Sequence, residues 1–367
     1  MKKLRNMMVT MLAVTMVFSL TACGSGSSNA TTAPAGTSAD KTEAAAGTTG
    51  AETEAKAPSG EAEYNFNISV DASDDETISK YAQKLKEELE TRSEGRISAT
   101  VYTNGTLGGD DEALQSCADG SLAVVLSTTA PQVNFMPELA MFDLPNLFTD
   151  ISQFRALFDN TEFVTKLNEI YDKGGFKLLG IADSGFRVMS SNIKVEKLDD
   201  MKGIKIRTMK NSNHIAIWQA YGANPTPMAF GEVYIGLQQK TIDAQENPIE
   251  VLVSSKFYEQ QKYVIQTNHL PHACVCLMSG DIYSDLPEDL QKVVEEAGTA
   301  ATEYTRELSD KQNAEQLEFL KTQGVEVVTL SDEALASLKD ATQSVYDMIK
   351  DQIGEDMMNL MLSAAGK

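Results

Sequence analysis

The stretch Lys205–Pro248 reads KIRTMKNSNHIAIWQAYGANPTPMAFGEVYIGLQQKTIDAQENP. Ile204 and Ile206 alternate with Lys205 and Arg207, the period of a strand with one apolar face. A helix over His214–Tyr221, a second over Val233–Gln239 and a strand over Ile242–Glu246 follow. Arg207 therefore sits at the carboxyl end of its strand, just before a helix, where ligands collect in open α/β sheets. A guanidinium offers a planar donor fork that matches a carboxylate bidentately. From position alone, however, a surface ion pair is the favoured reading in so acidic a chain. Asn247 precedes a proline, which biases it to extended backbone, and its amide both donates and accepts.

The same stretch closely resembles the solute receptors of TRAP (tripartite ATP-independent periplasmic) transporters. These are extracytoplasmic proteins that deliver organic acids to a membrane permease. The resemblance runs from about Tyr64 to the C-terminus. It rests on KIR (205–207), GANPTPMAF (222–230), EVY (232–234), QENP (245–248) and KFYEQQKY (256–263), with weaker support from NGTLGG (104–109), PELAMFDLP (137–145) and GFR (185–187). The resemblance implies a two-lobed, periplasmic-binding-protein-like (type II) α/β fold with mixed sheets flanked by helices and a long helix spanning both lobes. It also implies that Arg207 grips the ligand carboxylate, that Arg187 of GFR adds a second contact, that Asn247 lies in the pocket, and that Phe230 walls it. For Phe230, core packing is the competing role. Asn211 and His214 lie near a helix start that favours anions and are candidates for reading ligand hydroxyls, although a helix-capping role for Asn211 or Asn213 fits equally. Loops Asp71–Asp75 and Ser127–Thr129 are the candidates from the first lobe. There, acids would repel a second carboxylate but accept from sugar hydroxyls.

Composition bounds the partners. The 367 residues suggest two lobes, and 42% hydrophobic residues suffice for sizeable cores. With Lys+Arg 31 against Asp+Glu 53, the net charge of −22 disfavours nucleic acid and anionic surfaces. Lys2, Lys3 and Arg5, an apolar run Met7–Leu20 too short to span a bilayer, and Leu20-Thr21-Ala22-Cys23 match a lipoprotein signal (1–22) with lipidation of Cys23. Loss of those three cations takes −22 to −25. Residues 23–63, rich in Gly, Ser, Thr and Ala, read as a flexible tether of about 35 Å r.m.s. reach. The expectation is a monomer lipid-anchored outside the cell membrane, more in keeping with a Gram-positive source. Cys117, Cys274 and Cys276 read as small buried hydrophobes.

Beyond Tyr64, strand and helix periodicities alternate: a strand to Val70, a helix Ile78–Arg92, a strand Arg96–Tyr102, a helix Asp111–Ala118 and a strand Leu122–Ser127. This β-α-β-α-β start predicts a largely parallel sheet. Further on come a helix Phe154–Tyr171, strands Lys177–Ile181 and Gly185–Ser191, a helix of about Glu288–Thr322 capped by Ser284 or Asp285, a strand Val325–Leu330 and a helix Asp332–Met361. The lobes divide as 64–184 plus about 273–312, and 185–272 plus about 313–367. His269-x-x-His272 has Pro271 between its histidines and no third ligand, so no metal or cofactor is expected. No nucleophile–base set is visible, so the chain reads as a binding protein, not an enzyme. An ABC-type receptor, a sensory co-receptor and, less well, an extracellular hydrolase are the competing functions.

Overall fold

The structure, a computed structural model, describes residues 62–367. The signal sequence, the Cys23 lipidation site and nearly all of the tether lie outside the described residues. The order is β1 (Tyr64–Val70), α1 (Thr77–Arg92), β2 (Ile97–Tyr102), α2 (Asp110–Ala118), β3 (Val124–Thr128), α3 (Thr129–Gln132), α4 (Ile151–Ala156), α5 (Thr161–Lys173) and β4 (Phe176–Ser191). There follow β5 (Lys205–Thr208), α6 (Ser212–Ala220), β6 (Asn224–Pro227), α7 (Val233–Gln238), β7 (Ala244–Pro248), α8 (Ile249–Ser254) and β8 (Tyr263–Ser279). The chain closes with α9 (Gly280–Asp285), α10 (Glu288–Thr322), β9 (Glu326–Val328), α11 (Asp332–Ala341) and α12 (Gln343–Ala364).

The strands form a mixed sheet in the order β2-β1-β3-β8-β4-β7-β5-β6, with β9 on β8. β1 pairs with β2 and β3 in parallel, as the opening periodicity predicts. The expectation of a largely parallel sheet needs correcting. β8 runs antiparallel to β3 and β4, and β4 antiparallel to β7. The cause is the pair of long strands, 16 residues in β4 and 17 in β8, which run side by side through both halves of the molecule. Their register shifts between Asp183 and Phe186 and again between Arg187 and Met189. Lys177–Ile181 and Gly185–Ser191 are thus one irregular strand, and the GFR motif lies at its irregularity.

Other boundaries move for local reasons. The helix expected over Phe154–Tyr171 is interrupted, because Asn160 accepts from the Phe163 amide at 3.1 Å and starts a new helix. Asp332–Met361 divides at Thr342, and Gly354 breaks the second part with φ 79°. Ser284 and Asp285 belong to α9, and Pro287 occupies the cap position of α10. β6, with the sequence NPTP, was unforeseen. It pairs only with β5, at the sheet edge, where a proline costs no ladder bond.

One core gathers β1, α1, the end of β8 and the first half of α10 (Leu290, Val294, Ala297, Ala301). A smaller one joins Val188, Leu252 and Val264 to Leu320 near the far end of α10. The 35-residue α10 therefore ties the two lobes together, packing on α1 and β4 and also on α8. Gly298 permits the contact with β4: a Cβ there would lie 2.6 Å from the Leu179 carbonyl oxygen. Cys117, Cys274 and Cys276 are buried free thiols. Among the described residues no helix is long and apolar enough to cross a membrane.

Candidate functional site

β5 places Ile206 in the core and turns Arg207 to the opposite side. Parallel pairing sets Arg207 beside Gln245, so KIR and QENP meet although 38 residues separate these two positions in the chain. Arg207 is 2% exposed. Its Nε and Nη2 donate to the Met228 carbonyl at 3.1 and 2.8 Å. No carboxylate lies within 4 Å of it among the described residues. Burial pulls its pKa down to about 10, an effect that Glu246 only partly opposes. Arg207 lines a cleft that is partly open to solvent. Asn247, Phe230, Asp71, Asp110 and Thr128 line it too.

Arg187 is equally buried but occupied. Its Nε and Nη2 grip the Glu246 carboxylate at 2.5 and 2.8 Å. Nη1 meets His272 Nδ1 at 2.5 Å, and Nη2 also reaches Asn247 Oδ1 at 3.0 Å. Glu246 accepts further from His269 Nε2 at 3.0 Å. Burial favours its neutral form, but Arg187 and the histidines outweigh this and hold the carboxyl well below its usual range. Arg187 does not line the Arg207 cleft. It faces an adjoining recess that shares Thr128, Met209 and His272 with it. Asn247 is thus fixed from both ends, since its Nδ2 donates to Gln245 Oε1 at 2.7 Å.

Asn211 and His214 are also placed behind the cleft. Asn211 caps α6, accepting from the Asn213 and His214 amides at 2.7 and 3.1 Å, and its Nδ2 donates to Asp143 Oδ2 at 2.8 Å. His214 Nε2 lies 3.1 Å from Asp143 Oδ1. Burial works against the charged ring, but Asp143 and Glu246 prevail and hold its pKa up at about 9. Its Nδ1 is buried with no hydrogen-bond partner among the described residues, 3.9 Å from Glu246 Oε1. Phe230 is half-buried: it lines the cleft and packs edge-on against Phe257, with centroids 6.1 Å apart. His269 and His272 are committed to Glu246 and Arg187.

The opposite wall is acidic. Asp71 follows β1 directly, and Asp110 opens α2. Desolvation raises the Asp71 pKa. Desolvation, then the charge of Asp71, push Asp110 up to about 8. Gly105 of NGTLGG accommodates Asp71: a Cβ there would stand 2.7 Å from Asp71 Oδ1, and its φ of +62° is itself left-handed. Deeper in, Glu76 accepts from the Ser73 amide and from Ser255 Oγ, each at 3.1 Å. Burial and then Glu250 raise it to about 8.

Residues 68–352 match the profile of the bacterial extracellular solute-binding proteins, family 7. The chain belongs to this family, the solute receptors of TRAP transporters. A solute-binding protein of Verminephrobacter eiseniae is 32% identical over 74% of this chain and 82% of its own length. Among solved structures, the sugar acid binding protein DctPAm from Advenella mimigardefordensis in complex with galactonate is similar, with TM-score 0.79 and 30% identity, covering 82% of this chain and 97% of that one. A TRAP periplasmic solute-binding protein from Polaromonas sp. JS666 bound to D-erythronate gives TM-score 0.78 and 29% identity over 82% and 98%.

In this TRAP receptor, the loop candidates Asp71, Ser127 and Thr128 line the cleft, whereas Asp75 is exposed beside Lys80 at 3.4 Å. Sequence reasoning missed Asp110, Met209 and His272 as cleft residues. For Asp110 a signal existed: a carboxylate in the first turn of a helix that follows a glycine-rich strand-end loop.

Proposed function

We propose that the protein captures a small organic acid, of the sugar-acid or C4-dicarboxylate kind, between its lobes, with Arg207 as the carboxylate receptor. The observation that carries this reading is a buried guanidinium in a cleft with no carboxylate among the described residues within 4 Å. A ligand carboxylate supplies the missing counter-charge, and closure strengthens the pairing by excluding water. Asn247, held by Gln245 and Arg187, presents its amide beside the acid. Phe230 covers the cleft. Arg187 acts chiefly by fixing Asn247, while Asn211 and His214 brace the adjoining recess through Asp143. The galactonate and D-erythronate complexes of the two similar structures support the ligand class.

The lobes divide as 64–184 plus about 273–312, and 185–272 plus about 313–367, with the crossings in β4, β8 and α10. The closed receptor hands its ligand to a TRAP permease, and lipid on Cys23 tethers the monomer to the outer face of the cell membrane.

A thermal-shift screen over organic acids identifies a ligand, because binding stabilises the folded state with the logarithm of concentration. Titration calorimetry then tests the site. Arg207→Ala loses about 2–5 kcal/mol of affinity, the scale for unpairing a buried charge. Unchanged affinity would sink the assignment.

A further inference from the structure

The charges around the cleft are unbalanced in a way that narrows the ligand. Among the described residues Arg207 is the only lysine or arginine that lines it, and His272 is kept neutral, chiefly by burial and then by Arg187. Asp71 and Asp110 stand near Arg207, and Glu76 lines the same cleft. Neither Asp71 nor Asp110 has a cationic partner within 4 Å among the described residues. Of the neighbouring cations, Arg187 is spent on Glu246 behind the cleft, and Lys210, more than half exposed, lies 3.8 Å from Asp111 in a second recess that Arg207, Asp71 and Asp110 also line. One end of a ligand therefore meets a cation, and the other end meets carboxyl groups.

We propose that Asp71 and Asp110 are specificity-determining residues that select a hydroxylated monocarboxylate and reject dicarboxylates. This rests on the reading of Arg207 as carboxylate receptor and deepens it. A monocarboxylate satisfies Arg207 with its acid group and donates hydroxyl hydrogens to Asp71. A second carboxylate at that end of the cleft has no cation to meet and is desolvated without a counter-charge, an arrangement that costs affinity. Asp110, raised to about 8, carries its proton at neutral pH and so offers both a donor and an acceptor. A hydroxyl is likewise both, which suits it to that position. An ammonium group, a donor only, would need ionised acceptors.

The test is a calorimetric panel on the full-length receptor, with aldonates and uronates, C4-dicarboxylates such as succinate, amino-acid zwitterions and the neutral polyol sorbitol. The expected result is a hydroxylated monocarboxylate as the tightest ligand, at least a hundredfold tighter than succinate. Asp71→Asn and Asp110→Ala each weaken that ligand at least tenfold, with melting curves showing both variants folded. They also narrow its margin over succinate. Succinate or a zwitterion as the tightest ligand overturns the proposal, as does full affinity in both variants. Arg207→Ala separates the two levels. If a dicarboxylate binds tightly and depends on Arg207, the carboxylate receptor stands and the specificity pair falls. If no acid on the panel binds, or binding survives Arg207→Ala, the underlying reading falls.

Discussion

Arg187 and Arg207 lie in neighbouring parts of one sheet and are each 2% exposed, yet they do opposite work. Arg187 is closed inside the protein by Glu246, His272 and Asn247. Arg207 has only one main-chain carbonyl and an open cleft. Burial alone therefore does not distinguish a structural arginine from a binding one. What distinguishes them is whether the protein itself provides the counter-charge. A charge taken out of water must be paired somewhere. In Arg187 the partner is internal, and in Arg207 it is left for a ligand to bring.

The strongest way to break this contrast is to exchange the roles in solution. Arg187→Ala strands the Glu246 carboxylate in the core and should cost about 3–5 kcal/mol of folding stability, read as a lower urea midpoint. The double variant Arg187→Met with Glu246→Leu should recover much of that loss, because it removes both charges. Arg207→Ala should behave in the other sense. It shifts unfolding by no more than about 1 kcal/mol, the net worth of its bond to Met228, while ligand affinity collapses. If Arg187→Ala leaves stability untouched, or Arg207→Ala unfolds the protein, the assignment of the two arginines is reversed.

The two arginines look alike in sequence. Each stands in a short strand pattern, and Glu246 lies 59 residues from Arg187 and 39 from Arg207. Only antiparallel pairing of β4 with β7, which sets Arg187 opposite Pro248, brings Glu246 within reach of Arg187. Within QENP the sequence singles out only the asparagine. The motif's glutamate is the counter-ion of the core, a role that long-range register creates and local pattern cannot show. The strand end at Arg207, the helix after it and the full extent of α10 were legible because each follows from local periodicity and the position of Pro287. The direction of β8 was not, since an apolar run says nothing of the neighbour it will meet. Asp110 was hidden for a third reason. In a chain with Asp+Glu 53, a carboxylate at a helix start is unremarkable until the fold turns it into a cleft.

The comparison extends to carboxylates, where it predicts a smaller, pH-dependent effect. Glu246 is buried and fully met by cations, so it stays ionised. Glu76 is buried too, at 3% exposure, but faces Glu250 rather than a cation, and burial followed by that neighbour raises its pKa to about 8. Glu250 accepts from the Thr77 amide at 3.2 Å and leaves its other oxygen without a partner. The sign of the effect follows from proton counting. Between 4.5, the ordinary value, and about 8, the unfolded chain has an ionised Glu76 while the folded protein keeps it protonated. The folded state binds more protons there, so stability falls as pH rises through that window and levels off above it. Glu76→Gln cannot ionise and keeps an acceptor for Ser73 and Ser255. It should therefore be more stable than the parent at pH 8 by at least about 1 kcal/mol, the worth of a single pKa unit, and should lose that advantage towards pH 4.5. Melting temperatures of the two proteins measured from pH 4.5 to 9 decide it. A constant gap, or one that widens on acidification, would mean that Glu76 is ionised in the folded state and has a cationic partner after all.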